Sequence, residues 1–356
     1  MLFKKDKTLL GLNIGSGYIK MVELKDSGSV HTLSNFGMAA LPPDAIVDGT
    51  IMDSSAIVST IVNLASNLKV KKKRVSTSIS GHSVIVKKIT LPLMDENTIE
   101  ETIHQEATQH IPYDISDVNL DFQILGPSSD NPDNMDVILV AVKKDTINDY
   151  LTLVEEAGFT PVVVDVDTFA LENAYEHNYE DNEKKIVALV DIGANLTCIN
   201  ILDDGVTCFS RNITSGSRVI TEQLQKQFSL SYEQAELLKM GCPENFTSDI
   251  SVAISAIKEA TFPLINEIIK AIDFFHTSAV ADGRIEKIVL SGGGAKTYNI
   301  IKDITNKSGI ETELVDPFRN IMVPEKHFDL EYIREIGPVA AVATGLALRK
   351  DEAVRK

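Results

Sequence analysis

Two stretches of the chain share one pattern of apolar and polar positions. Val187 to Leu202 reads as two short apolar runs joined at Gly193-Ala194-Asn195, with Asp191 near the end of the first run. Thr8 to Asn13 and Tyr18 to Leu24 repeat that plan around Gly15-Ser16-Gly17. Short apolar runs on either side of a glycine corner predict a β-hairpin with at least one buried strand. Aligned, Asn13 meets Asp191 and Gly15 meets Gly193, an offset of 178 residues in a chain of 356. A repeat at half the length predicts two domains of similar topology that present their hairpins to one ligand from opposite sides.

The rest of the pattern fills in around the hairpins. Ile57, Ile61, Leu64 and Leu68 have helical spacing, and strands are predicted at 75–79 and 84–89. Asp95 is placed to cap a helix from Glu96 to about His110, which Pro112 ends. Its acids Glu96, Glu100, Glu101 and Glu106 fall mainly on an exposed face rather than pairing for catalysis. Strands at 120–125 and 136–142 flank a turn-rich loop, a helix over 145–157 closes at Gly158, and a strand follows at 160–165. Residues 84–165 therefore read as a unit inserted into the first half. On this reading 1–83 with 166–183 form the first lobe and 184–356 the second, joined at the acidic run 180–185.

In the second half a turn region at 211–217 precedes a helix from Arg218 to Phe228, and Ser231 caps another from Tyr232 to Lys239. Pro263 is expected to kink or divide a long apolar helix within 248–281. A buried strand from Ile285 runs into Gly292-Gly293-Gly294 and a helix over 298–307, and a small-residue helix spans Gly337 to Leu348. Three glycines at a strand-to-helix junction let a ligand lie against bare backbone.

Composition narrows the chemistry. A net charge of −17 argues against nucleic acid, which selects a basic footprint. The one basic run, Lys69 to Arg74, fits a solvated link between helix and strand. Three cysteines without a CxxC pair suit reduced thiols, and seven scattered histidines without HExxH give no zinc signature. No signal peptide or spanning apolar run is visible, which places the expectation in the cytoplasm. The remaining signal is the pair of hairpins: glycines admit a phosphate to backbone N–H groups, and a strand-end carboxylate can hold hydrated Mg²⁺.

Asn13-Ile-Gly-Ser-Gly, Asp191-Ile-Gly-Ala-Asn-Leu-Thr and Ser291-Gly-Gly-Gly-Ala, in that order, resemble the phosphate-1, phosphate-2 and adenosine motifs of the actin, Hsp70 and sugar-kinase superfamily. Within it the chain resembles the PilM family of type IV pilus assembly, and more distantly FtsA. The stretches that carry this likeness include Glu106-Ala-Thr-Gln-His-Ile-Pro112, Ala157-Gly-Phe-Thr-Pro161, Val164-Asp-Val-Asp167 and Gly337 to Ala347. The resemblance implies an α/β actin-like ATPase fold of two RNase H-like lobes with a small inserted α+β subdomain. It further implies ATP and Mg²⁺ between the lobes, and docking of the amino-terminal cytoplasmic segment of the inner-membrane protein PilN in a groove by the inserted subdomain. Other inner-membrane and motor components of the pilus would then be partners, the membrane would be met only indirectly, at its inner face, and self-association is open.

By motif position Gly15, Ser16, Gly17 and Lys20 would meet the β- and γ-phosphates. Asp191 would hold the metal through water, with Gly193, Asn195 and Thr197 completing the second loop. Gly216 would open a helix toward the phosphates, Glu236 and Lys239 would lie near ribose and adenine, and Gly292, Gly293, Gly294 and Ala295 under the adenosine. No catalytic base stands out; Asp165 and Asp167 lie near the lobe junction, where either can simply cap a helix. An FtsA-like membrane-tethered filament would want an amphipathic carboxyl-terminal helix, whereas this chain ends in the charged Arg349-Lys-Asp-Glu-Ala-Val-Arg-Lys356. A small-molecule kinase would need a general base aimed at a substrate hydroxyl. The adaptor reading therefore leads.

The first motif usually carries an acid where this chain has Asn13. An amide brings no negative charge to a metal's water shell, so it weakens hydrolysis more than binding. Asn13→Asp is expected to raise phosphate release from ATP; an unchanged rate would show that Asn13 does not limit turnover.

Overall fold

Both predicted hairpins form, and each opens a mixed sheet. The computed structural model describes residues 7–351 apart from 29, 48, 129–130, 180–184, 242–248 and 279–282. Most of the acidic link, Cys242 and residues 352–356 thus lie outside the described residues.

The first half runs β1 (Leu10–Ile14), β2 (Tyr18–Asp26), β3 (His31–Ala40), β4 (Ile46–Val47), β5 (Thr50–Ile51), α1 (Ser54–Asn67) and β6 (Arg74–Ile79). Then come β7 (Val84–Pro92), α2 (Glu96–Ala107), β8 (Val118–Pro127), β9 (Asn134–Lys143), α3 (Lys144–Glu156), β10 (Thr160–Val166) and α4 (Asp167–Asn178). The second half is β11 (Ile186–Ile192), β12 (Thr197–Asp203), β13 (Val206–Ile213), α5 (Arg218–Phe228), α6 (Tyr232–Lys239) and α7 (Ile250–Thr277). It closes with β14 (Ile285–Ser291), α8 (Ile300–Ser308), β15 (Glu311–Leu314), β16 (Ile321–Met322) and α9 (Leu330–Leu348).

The repeat is visible in the strand orders, β10-β6-β1-β2-β3-β16 and β13-β12-β11-β14-β15. In each, a three-strand antiparallel meander is extended by parallel strands beside the first strand. The third meander strands, β3 and β13, have no counterpart in the sequence reading. Arg211 to Ile213 belong to β13 rather than to a turn, because Ser210, Arg211 and Asn212 mask the strand pattern at its end. Pro263 sits inside an unbroken α7.

Sheet membership also moves the lobe borders. β7, β9 and β8 form a separate sheet with a core of its own around Ile99 and Ile103 of α2, while Val84 and Val142 at its near end pack into the first-lobe core. The predicted insertion ran on to 165, but α3 and β10 belong elsewhere. Tyr150, Leu153 and Val154 of α3 pack with Ile57 and Ile61 of α1, and β10 pairs with β6. At the other end, β16 pairs with β3 of the first sheet, although the predicted second lobe ran to 356.

α9 begins earlier than predicted, at Leu330, capped by Asp329 with Pro338 inside it. From Ile336 to Ala347 it is buried on every side because both halves use it. Ala340, Ala343 and Ala347 face Val22, Leu24 and Leu33 of the first sheet. Ala341, Val342 and Leu346 join α4 residues Ala170 and Leu171 against Val187, Leu189 and Val289 of the second. A Cβ on Gly345 would fall 1.6 Å from Ala170 O, and one on Gly11 would fall 2.2 Å from Ala343 O. Only hydrogen fits at either crossing.

Glu172 of α4 is enclosed against the second sheet, where its carboxylate accepts from the Thr207 hydroxyl and from Asn200 Nδ2 at 3.4 Å. Burial, opposed by that hydroxyl, raises its pKa from 4.5 to about 7. The folded protein therefore retains a proton that the unfolded chain releases. This group's contribution is complete below its unfolded value and is lost as the pH climbs toward 7, by up to about 1.4 kcal/mol per pH unit. Glu172→Gln should flatten the fall in melting temperature over that window and raise stability above it; thermal unfolding that keeps the wild-type slope would show that Glu172 is not its source.

Candidate functional site

The two hairpin turns are built alike. Gly15 N–H donates to Tyr18 O at 3.2 Å, and Gly193 N–H donates to Leu196 O at 2.9 Å. Strand register sets Asn13 opposite Lys20 in one hairpin and Asp191 opposite Cys198 in the other. Both turns follow the carboxyl end of a strand that has a parallel neighbour, the side of an α/β sheet where ligands bind.

Between them lies a cleft lined by Asn13, Gly15, Ser16, Gly17, Lys20, Asp191, Gly193, Glu236, Gly292 and Gly293 from the predicted set. Tyr18, Ser80, Asp167, Cys198, Ser217 and Tyr232 also line it. Ser80 and Asp167 follow the ends of parallel strands β6 and β10, a topological signal that was readable in principle. Tyr232 opens a capped helix and carries no such signal.

Lys20 is the one cation among the described residues lining the cleft. Its Nζ donates to Asn13 Oδ1 at 2.9 Å. Burial lowers its pKa, while the charges of Asp191 and Asp167 raise it. Burial raises the pKa of Asp191, opposed by Lys20 and by the Ser291 hydroxyl, which donates to Oδ1 at 2.7 Å. Asp167 is raised in the same way, opposed by the hydroxyls of Ser78, at 2.5 Å, and Ser80. Asn13 Nδ2 donates to Asp167 Oδ1 at 3.4 Å. The negative charge missing at position 13 is thus supplied by Asp167, one bond further along.

The other predicted residues build the walls. Asn195 Nδ2 donates to Ile46 O at 3.1 Å, and the buried Thr197 hydroxyl to Ser215 O at 2.8 Å. A Cβ on Gly216 would meet Ala194 O at 2.4 Å, and one on Gly294 would meet Ile192 Cγ2 at 2.2 Å, so both glycines serve close packing. Ala295 is buried. Lys239, expected beside the adenine, is 2% exposed and donates to Glu236 Oε1 at 2.6 Å and Thr221 Oγ1 at 3.0 Å. Asp165 accepts from Arg349 at 2.7 Å, away from the cleft.

The site suits a phosphate ligand with a metal. Gly292 has φ 83°, and a Cβ on Gly293 would meet nothing within 4 Å, so this turn offers bare backbone. Among the described residues no three His, Cys, Asp or Glu gather to hold a metal ion. Asp191 and Asp167 would instead share a cation with water and phosphate oxygens, the habit of Mg²⁺.

The family model described as type IV pilus assembly protein PilM matches residues 11–351. A solved structure described as the PilM–PilN type IV pilus biogenesis complex is 29% identical, with TM-score 0.85 over 96% of this chain and 98% of that one. The ethanolamine utilization protein EutJ from Carboxydothermus hydrogenoformans is 13% identical, with TM-score 0.58 over 96% and 90%. MreB5 of Spiroplasma citri bound to ADP is 13% identical, with TM-score 0.55 over 95% and 94%. These two share the fold, the actin-like ATPase fold that the motifs implied.

Removing the cation should expose the charge balance. Lys20→Met leaves Asp167 and Asp191 buried without the positive charge that favours their ionised forms, so the folded protein should lose stability where both are ionised. The melting temperature should drop at pH 8 and recover as the pH falls and the carboxylates protonate; an equal drop at both ends would mean Lys20 acts through packing alone.

Proposed function

The chain belongs to the family of the type IV pilus assembly protein PilM, and from that premise we propose that it is an adaptor whose bound nucleotide sets the relation of its two lobes. ATP with Mg²⁺ is the ligand assigned to the cleft. PilN, through its amino-terminal cytoplasmic segment, is the partner assigned to a groove beside the β7-β9-β8 sheet. The adaptor would then work at the inner face of the inner membrane, joined there by other pilus components.

One observation carries the nucleotide half. Three carboxylates, Asp167, Asp191 and the Lys239-bonded Glu236, line a cleft whose described lining has one cation, Lys20. A polyphosphate entering alone would meet net negative charge, so a divalent cation is needed to bring the two together. When bound, that cation would neutralise phosphate oxygens and polarise the terminal phosphoryl group. The chain's own residues orient the ligand: the turns at Gly15 and Gly193 offer backbone, and Ser16 and Lys20 offer donors.

Hydrolysis is expected to be slow. The carboxylate best placed to accept a proton, Asp167, is already engaged by Ser78, Ser80 and Asn13. That engagement also weakens the case for a small-molecule kinase, which needs a free base facing its substrate. The partner half is supported by the 29% identical PilM–PilN complex. Among the described residues no helix is long and apolar enough to cross a membrane, which fits attachment through a partner.

Calorimetry on the full chain should give a dissociation constant in about the micromolar range for ATP with Mg²⁺, and far weaker binding in EDTA. A synthetic PilN amino-terminal peptide should be retained to different extents with and without ATP. Absence of heat with ATP would remove the nucleotide half, and absence of retention in both states the partner half.

A further inference from the structure

Residues 41–47 form a short strap beside the first turn, with Pro42, Pro43 and Asp44 exposed at its tip and Leu41, Ala45 and Ile46 buried in the first-lobe core. Pro42 and Pro43 restrict its backbone, Ala45 N–H donates to Pro42 O at 3.3 Å, and Asp44 stands at φ 63°. Leu41 N–H ties the strap to the first turn through Gly17 O at 2.9 Å. Three bonds then cross to the other lobe. Arg218 NH1 donates to Asp44 Oδ1 at 3.2 Å, Arg218 NH2 donates to Ser16 O at 3.4 Å, and Asn195 Nδ2 donates to Ile46 O at 3.1 Å. The two turns touch: a Cβ on Gly17 would sit 3.1 Å from that of Ala194.

Arg218 is held in an unusual way. It opens α5 directly after Ser217, a cleft residue, and its side chain is 12% exposed. Its outer nitrogens hold a long bond to a carbonyl and one to a carboxylate that is 79% exposed. The inner Nε is buried and has no partner among the described residues. A guanidinium left with a buried empty donor gains from an anion that can take two of its N–H groups at once.

We propose that Arg218 reads the terminal phosphate of a nucleoside triphosphate, exchanging its hold on Ser16 and Asp44 for that phosphate and so freeing the exposed tip of the strap at Pro42, Pro43 and Asp44. This rests on the nucleotide reading above. Through Asp44 and Ser16 the arginine ties the strap and the first turn to the second lobe. A triphosphate between the turns draws it inward; a diphosphate, lacking the outermost oxygens, leaves the strap in place. The strap is then the segment by which a partner could tell one nucleotide state from another.

Three full-chain variants test this: Arg218→Ala, Arg218→Lys and Asp44→Asn. Calorimetry with ATP and with ADP should show that Arg218→Ala weakens ATP binding about tenfold while moving ADP less than about twofold. Arg218→Lys, which keeps charge but not the fork, should fall between. Asp44→Asn, which removes the carboxylate that competes for Arg218, should tighten ATP binding relative to ADP. Hydrogen exchange at Asp44 and Ala45, the first N–H groups after the two prolines, should be slow in the wild type without nucleotide, faster with ATP, and already fast without nucleotide in Arg218→Ala and Asp44→Asn. An Arg218→Ala protein with the wild-type nucleotide ratio and a protected strap would overturn the proposal. Failure of the wild type to bind either nucleotide would instead sink the nucleotide reading, and the phosphate-reading role with it.

Discussion

The architecture rests on one backbone crossing, Gly345 of α9 against the carbonyl of Ala170 in α4. α4 leads from the first sheet into the second, and α9 comes back, so their separation sets how far apart the two hairpins sit. Because the contact is main chain to main chain, no side-chain rotamer can absorb a change in it. The small residues of α9 follow from this: Ala340, Ala343 and Ala347 meet one sheet while Ala341 and Leu346 meet the other. A rigid pair of helices between two sheets leaves the far ends, where the turns lie, as the place where the lobes can move.

At that far end the electrostatics favour an occupied cleft. Lys20 bonds Asn13 and is the one cation in the described lining beside Asp167 and Asp191, so the two carboxylates share a single positive charge. Burial keeps both carboxylates from ionising as readily as they would in water. Such a site is costly when empty, and a bound cation with phosphate relieves it. The same imbalance runs through Arg218, whose inner nitrogen is buried and unmatched among the described residues.

Much of this was legible in the chain because the repeat concerns local chemistry. Glycine corners and strand-end polar residues announce themselves within seven or eight positions, and the actin-like family followed from three of them in order. Pairings across long separations were not legible. Tyr150, Leu153 and Val154 announce a buried face on α3 but not which sheet buries it, so the insertion was drawn too long. β16 is two residues, too short for a period. The charged opening of α9, with Glu331, Arg334 and Glu335, hid its first turns. Lys239 was placed near the ribose and adenine by motif position alone; only the fold shows it sealed beneath Glu236. Asp167 was in view, but capping a helix and lining a cleft look identical in one dimension.

The return of α9 also fixes a timetable. Gly11 touches Ala343, yet ribosomal synthesis at roughly 5–20 residues per second separates their appearance by roughly 20–60 seconds. Until then Val22, Leu24, Leu33 and Phe36, which pack under Ala340 and Ala343 in the finished molecule, have no cover. The first lobe is therefore the part that a nascent chain exposes longest and the part that folding helpers or proteases meet first. Quality control of the whole protein is deferred to its last helix, so a truncation that spared every residue of the cleft would still leave the older half unfinished.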